Sequence, residues 1–246
     1  MASPRIYSPQ PLHAGSDVVL TGNAANHLTR VLRLTAGDEL RLFHGDGQDY
    51  IAQIEGPVRG GLRVRVQSAR PVATESGLKI TLMQGICRGQ KMDLVIQKAT
   101  ELGVTSILPL RCERSVVRLQ GERALRRRDH WFGIAAAAAE QCGRAIVPKV
   151  HPATTVDDAV ASLPTGSTRL LLDPAADSGL ARQAPADGIV VLLAGPEGGL
   201  TPGERSIALQ AGFTGVRLGP RVLRTETAPL AALSVVQYLY GDLGGG

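Results

Sequence analysis

The sequence predicts an α/β protein with a mainly parallel sheet, preceded by a small β-barrel. Two observations carry this expectation. From Leu78 onward, short apolar strands alternate with amphipathic helices, the pattern of βαβ units. Before about residue 72, short apolar stretches are separated by Gly, Asp and Pro at the spacing of a small all-β unit. The 246 residues leave room for one large domain or two modest ones. The expected division is 1–72 and 73–246, with a linker at Pro71–Gly77.

In the first part, strands are expected at Val18–Leu20, Glu39–Phe43, Tyr50–Ile54 and Leu62–Val66. The last alternates strictly, so Leu62, Val64 and Val66 share one face while Arg63 and Arg65 share the other. A helix over Asn23–Arg33 places Leu28, Val31 and Leu32 on one face and Arg30 and Arg33 elsewhere. His44–Gly47 reads as a hairpin turn.

In the second part, Lys79–Ile86 is a buried strand. Met92–Leu102 is a helix with Met92, Val95, Ile96, Ala99 and Leu102 on one stripe, ended by Gly103. Val104–Leu110 completes a βαβ unit. A long helix of about Glu122–Gln141 carries an alanine run, Ala135–Ala139, where something packs closely. Further strands are expected at Val147–Val150, Arg169–Leu172, Ile189–Ala194 and Val216–Leu218, with helices at Thr155–Ser162 and Pro202–Gln210. Thr201-Pro202-Gly203-Glu204 is a capping box with Pro at the first helical position. The last helix, about Ala228–Tyr240, has Thr227 as its expected cap. It is apolar nearly all round, so it is either a deep core helix or a subunit contact.

Composition narrows the function. Hydrophobic residues make 43% and charged residues 20%, as in ordinary globular proteins. No apolar run reaches the roughly 18 residues of a membrane span, and the N-terminal residues lack the apolar core of a secretory signal, so the expected location is the cytoplasm. Three cysteines, Cys87, Cys112 and Cys142, are never in CxxC spacing, and the five histidines are scattered. Neither a disulfide framework nor a metal site is expected. The net charge of +5 is compatible with an anionic partner. No phosphate loop, nucleophile elbow or HExxH is present. The loop after the first α/β strand, Cys87-Arg88-Gly89-Gln90-Lys91, lacks the glycines of a dinucleotide fingerprint.

Ligand chemistry is instead concentrated between Gly188 and Asp242. Two strands each open into a Gly/Pro loop, Gly195-Pro196-Glu197-Gly198-Gly199 and Gly219-Pro220, the latter followed by Arg224-Thr225-Glu226-Thr227. Such loops let a ligand approach backbone N–H and C=O groups closely. Glu197, set amid glycines, either receives donors from a ligand or braces the second loop. Arg224 and the apolar pair Val222-Leu223 are not explained by a turn alone. Seven arginines lie between 111 and 128, among them Arg114 and Arg118, and form either a solvated helix face or a phosphate-tracking patch. Glu140 and Arg144 could frame a cleft at the end of the long helix.

The segments RGQKMDLVIQKATELGV, ERSV, AAEQCGR, LLAGPEGGLTPGE and RLGPRVLRTETA, in this order, resemble the SPOUT-class methyltransferases and, more narrowly, the bacterial ribosomal RNA small subunit methyltransferase E family. The resemblance covers nearly the whole chain, including a PUA-like barrel with the HLTRVLRL helix. It implies a trefoil-knotted α/β domain, with the knot at about 188–228. It also implies S-adenosylmethionine held by Leu172, Leu193, Gly195, Glu197, Gly198, Leu218, Gly219, Val222, Leu223 and Arg224. The implied activity is methylation of N3 of one uridine in the 16S ribosomal RNA of the 30S subunit. Arg224, Glu226 and Glu197 are the candidate catalytic groups. Arg30, Arg33, Arg63, Arg65, Arg88 and Arg114 are the candidate RNA contacts, and a homodimer is implied. Two other readings stand beside it: the same fold acting on a ribose 2′-hydroxyl, and a non-catalytic RNA-binding assembly factor.

Overall fold

The computed structural model describes residues 3–117, 119–180, 185 and 187–245. It divides into two compact units, Met1–Glu75 with Ala139–Val147, and Ser76–Ala138 with Pro148–Gly246. Among the described residues no helix is long and apolar enough to cross a membrane.

The first unit is a five-stranded mixed sheet in the order β1-β3-β4-β5-β2. The strands are β1 (Arg5–Tyr7), β2 (Asp17–Leu20), β3 (Glu39–Phe43), β4 (Gln48–Val58) and β5 (Gly61–Pro71). Only β1, which runs parallel to β3, departs from antiparallel pairing. β1 and β2 are its edges, so the barrel is open, a half-barrel. The expected alternation holds in β5: Leu62, Val64 and Val66 are buried and Arg63 and Arg65 exposed.

The helix after β2 departs from the regular spacing. A short α1 (Gly22–Asn26) runs into a π-turn, His27–Val31, in which Leu32 N–H donates to His27 C=O, five residues back. One extra residue in the turn rotates everything after it by about 100°. Leu28 is therefore fully buried, but Val31 and Leu32 are exposed, and Leu34 packs on the core in their place. Arg33 closes the turn in the left-handed region at φ 55°.

Strand β1 carries a buried charge that periodicity did not show. Arg5 pairs with Asp49 at 2.8 Å and donates to the carbonyls of Ala139 and Arg144 at 2.8 Å each. A buried guanidinium persists only when its donors are met in this way. Glu140 accepts the Tyr7 N–H at 2.7 Å, and the buried Arg144 pairs with Glu75 at 2.6 Å. These two groups join segments of the first unit.

The second unit is an all-parallel six-stranded sheet, β11-β9-β10-β6-β7-β8. Its strands are β6 (Lys79–Gly85), β7 (Ser106–Leu110), β8 (Lys149–Val150), β9 (Thr168–Leu172), β10 (Ile189–Ala194) and β11 (Thr214–Val216). Its helices are α2 (Lys91–Glu101), α3 (Gly121–Cys142, whose last turn belongs to the first unit), α4 (Val156–Ala161), α5 (Pro202–Gln210) and α6 (Thr227–Tyr240). A parallel sheet needs cover on both faces. One face packs Met83, Leu108, Leu171, Val191 and Leu193 against Val156, Ala159 and Ala208, while α6 packs against α2 and β10. Within α3, Ala135, Ala136, Ala138 and Ala139 are buried and Ala137 is exposed.

The capping box before α5 forms in full. Glu204 N–H donates to Thr201 Oγ1 at 3.2 Å, and Thr201 N–H donates to Glu204 Oε2 at 2.8 Å. Glu204 Oε1 also accepts the Glu113 N–H at 2.9 Å, so one buried carboxylate fixes both α5 and the loop after β7. Glu204→Ala leaves two backbone N–H groups without acceptors, at about 1–3 kcal/mol each. The expected loss is roughly 2–6 kcal/mol, read from the denaturant midpoint.

Helix α6 starts differently from expectation. Its N-cap is Glu226, and Thr227 is the first helical residue rather than the cap. The Thr227 and Ala228 N–H groups both donate to Arg224 C=O at 2.9 Å, so the preceding turn satisfies them and no side-chain cap is needed. Pro229, Ala232, Leu233, Val236 and Gln237 are buried, whereas Tyr238 is 64% and Leu239 41% exposed. It is not a deep core helix.

Candidate functional site

A cavity of about 490 Å³ opens at the carboxyl ends of β9 and β10, bounded by β11 and the loop after it. This is where a parallel sheet presents loops to a ligand. Of the residues singled out from sequence, Leu172, Gly195, Glu197, Leu218, Gly219, Val222, Leu223 and Arg224 line it. Leu193 and Gly198 do not. Leu193 is fully buried on the face of β10 that meets Met83 and Leu171. Gly198 turns away from the cavity because Arg114 lies against it: a Cβ there would come within 2.9 Å of Arg114 Cβ.

The two loops are tied to each other. Thr225 Oγ1 donates to Gly195 C=O at 2.8 Å. Beneath it the fully buried Gln84 extends Nε2 toward Gly85 C=O at 3.0 Å and Thr225 Oγ1 at 3.5 Å. Cys87 Sγ lies 3.6 Å from the same hydroxyl. Burial pushes the Cys87 thiol up to about 11, with the Glu197 and Glu226 charges adding to this against the Thr225 hydrogen bond, so it stays neutral. Backbone contact is close as well. A Cβ on Gly85 would meet Pro196 Cδ at 2.6 Å and Gly195 C at 2.8 Å.

Glu197 is held from outside its own loop. Its Oε1 accepts the Arg88 N–H at 3.0 Å and lies 3.7 Å from Lys91 Nζ. Burial acts to raise this carboxyl. The Arg88 and Glu197 N–H groups, with the Lys91 and Arg88 charges, outweigh that effect and hold it below the usual carboxylate range. Lys91 Nζ also lies 3.3 Å from Glu226 Oε2. On the opposite wall, Asp173 pairs with Arg205 at 2.9 Å. The Arg224 guanidinium, on an exposed residue of the cavity lining, has no partner among the described residues.

The arginine patch resolves unevenly. Arg126 pairs with Glu122, Arg128 with Asp129, and Arg127 with Asp93 while lying over the Trp131 ring. That stretch is a locally neutralised helix face. Arg114 is exposed and reaches the Gly198 and Leu200 carbonyls of the first loop at 3.4 Å each. Arg118 lies outside the described residues. In the first unit, Arg30, Arg33 and Arg63 are exposed, whereas Arg65 is paired with Asp17 at 2.7 Å. Arg30 lines a second concavity of about 620 Å³ with Asn26, Thr29, Leu34, Gly56 and Gly61. Among the described residues, no three His, Cys, Asp or Glu come together as a metal site.

Sequence reasoning missed Lys91, Gln84, Thr225 and Gly85 as parts of the site. Only Thr225 stood beside a suspected group. The others lie more than a hundred residues from the loops that they hold; Lys91 stands in the RGQKMDL segment, and no local pattern marks Gln84 or Gly85.

Residues 74–237 match an RNA methyltransferase domain family, and residues 20–67 match an RNA methyltransferase PUA domain. The ribosomal RNA small subunit methyltransferase E of Bacillus subtilis is 32% identical over 89% of both chains. That of Mycobacterium bovis is 33% identical over 92% of this chain and 87% of its own. The crystal structure of the Neisseria gonorrhoeae enzyme, bound to S-adenosylmethionine, superposes with a TM-score of 0.89 at 38% identity, covering 98% of this chain and 100% of that one. A putative methyltransferase from Legionella pneumophila, also in complex with S-adenosylmethionine, gives a TM-score of 0.89 at 37% identity over 99% and 100% of the two chains. The fold, a half-barrel followed by an all-parallel SPOUT-type sheet, is the one these relatives share, and the chain belongs to the ribosomal RNA small subunit methyltransferase E family.

Proposed function

We propose that this protein transfers a methyl group from S-adenosylmethionine to N3 of a specific uridine in 16S ribosomal RNA. The observation that carries the reading is the cavity itself: both glycine loops wall it, Thr225 ties them together, and an unpaired arginine stands in its lining.

The residues present fit the cosubstrate. The volume suits a nucleoside-sized ligand. Leu172, Leu218, Val222 and Leu223 offer apolar walls for a purine, and the backbone of Gly195 and Gly219 approaches without side chains in the way. When bound, S-adenosylmethionine supplies a methyl group already activated by its positive sulfur. The protein must then orient N3 and favour loss of its proton, because protonated N3 is a poor nucleophile. Arg224 suits the second of these roles, since a guanidinium beside a uracil carbonyl stabilises the charge that develops there. Glu197, which accepts the Arg88 N–H and faces Lys91, braces the first loop and with Glu226 is a candidate to take the proton. Glu226 is the carboxylate with fewer donors committed to it.

The test is transfer from labelled cosubstrate to small subunits purified without the modification, followed by nucleoside analysis. N3-methyluridine is expected. A 2′-O-methyl nucleoside, or no transfer with intact cosubstrate binding, overturns the proposal.

The half-barrel is proposed as the RNA-docking unit, through Arg30, Arg33 and Arg63. Removing residues 1–72 would also strip Arg5 from the Ala139 and Arg144 carbonyls, so point substitutions are the sharper probe. Arg30→Ala and Arg63→Ala are each expected to weaken RNA binding and to lower its salt slope by about 1. Cosubstrate affinity, measured by calorimetry, is expected to stay unchanged. A homodimer is part of the same reading, supported by the apolar residues that α6 leaves exposed, Tyr238 and Leu239, and by Leu243 just beyond it.

A further inference from the structure

Lys91 is the first residue of α2, and it meets a carboxylate from each glycine-loop segment. Its Nζ lies 3.3 Å from Glu226 Oε2 and 3.7 Å from Glu197 Oε1. Both distances exceed a good ammonium–carboxylate hydrogen bond, so the contact is chiefly one of charge. Glu197 Oε1 takes the Arg88 N–H, but Glu197 Oε2 and Glu226 Oε2 are buried and accept no hydrogen bond among the described residues. Two carboxylates thus share one ammonium at the edge of the cavity that Lys91 and Glu197 both line. The cluster leaves one acceptor oxygen on each carboxylate without a donor.

We propose that Lys91 is a positioning residue for methyl transfer, the shared counter-ion that holds the Glu197 and Glu226 carboxylates at the cavity edge so that the pair can take the proton leaving the target base. The inference rests on the uridine N3 reading above. In the step, the N3–H bond breaks and its proton passes to a carboxylate oxygen of the pair. The N3 electron pair forms the new N–CH3 bond, and the pair from the broken C–S bond stays on sulfur. Without the ammonium, Glu197 loses one of the charges that hold it ionised, and a larger share of its carboxyl is protonated and unable to accept the proton. The other groups around it are the Arg88 backbone and charge, which hold Glu197, and the Cys87 thiol, which stays neutral. Thr225 is committed to Gly195.

The experiment compares wild type, Lys91→Met and Lys91→Arg between pH 6 and 9. Single-turnover methyl transfer and S-adenosylmethionine affinity are both measured. Lys91→Met is expected to be at least about tenfold slower at pH 7, with affinity within threefold and a deficit that shrinks as the pH rises. Lys91→Arg restores most of the rate. A wild-type rate in Lys91→Met overturns the proposal. So does a deficit that is constant with pH and follows lost affinity, which is the signature of a merely structural lysine. A wild type that methylates no RNA refutes the N3 reading instead. The Glu197 carboxyl, followed by carbon-13 shift without RNA, then answers for Lys91 alone: its titration must move to higher pH in Lys91→Met, and an unmoved titration overturns the proposal.

Discussion

Arg224→Ala is expected to lower methyl transfer by roughly 100–1,000-fold while leaving S-adenosylmethionine affinity within a few-fold. The magnitude is that of removing one preorganised donor from the position where charge develops. The arginine is free for this work, since its guanidinium has no partner among the described residues, whereas Arg205 on the opposite wall is committed to Asp173. Its backbone has a separate duty, because the Arg224 carbonyl holds the first two N–H groups of α6. The substitution keeps that carbonyl, so α6 remains capped and the effect belongs to the side chain. Single-turnover kinetics beside calorimetry make the check. Near-normal turnover with unchanged affinity removes Arg224 from the mechanism.

The second large effect is expected from the smallest side chain that can be added. Gly85 ends β6 directly under the first glycine loop, and a methyl group there would press on Pro196 Cδ at 2.6 Å and Gly195 C at 2.8 Å. Both are main-chain or ring atoms and cannot swing aside. Displacing them moves the Gly195 carbonyl to which Thr225 donates, and so separates the two walls of the cavity. Gly85→Ala is expected to cost about 1–3 kcal/mol of stability, as overpacking does. S-adenosylmethionine affinity is expected to fall by at least tenfold. Gly219→Ala is a useful contrast. That residue has φ 73° and open space around a Cβ, so its penalty is backbone strain, with no displaced neighbour. If Gly85→Ala binds the cosubstrate as well as wild type, the first loop is not held in place by β6.

Much of this architecture is legible in the sequence because its determinants are local. The βαβ rhythm after Leu78, the alternation in Leu62–Val66 and the Thr201–Glu204 capping box each follow from a few neighbouring residues, and each is present in the structure. What escapes is non-local. The π-turn at His27–Val31 changes the period within a single turn, so a 3.6-residue period puts Val31 and Leu32 on the wrong face. Strand β1 pairs in parallel with β3, and its Arg5 is explained only by Asp49 and by carbonyls more than 130 residues away. At the site, the motif loops name the two walls correctly. They cannot show that Lys91, Gln84 and Gly85 stand behind them, nor that Gly198 lies against Arg114.

The sheet order also sets a timetable for synthesis. β6 and β10 are neighbours, with Ile80 beside Val190, although 110 residues separate them in the chain. As the chain emerges from its amino end, β6 can pair early only with β7, and its other edge waits until residue 194 has appeared. The half-barrel waits as well, because the carbonyls that satisfy Arg5 belong to Ala139 and Arg144. The Thr225 latch comes last, after β11 has joined the far edge. Parallel pairings at such long separation are slow to close. Refolding from denaturant is therefore expected to regain secondary structure well before it regains the cavity, and cosubstrate binding is expected to report the final step.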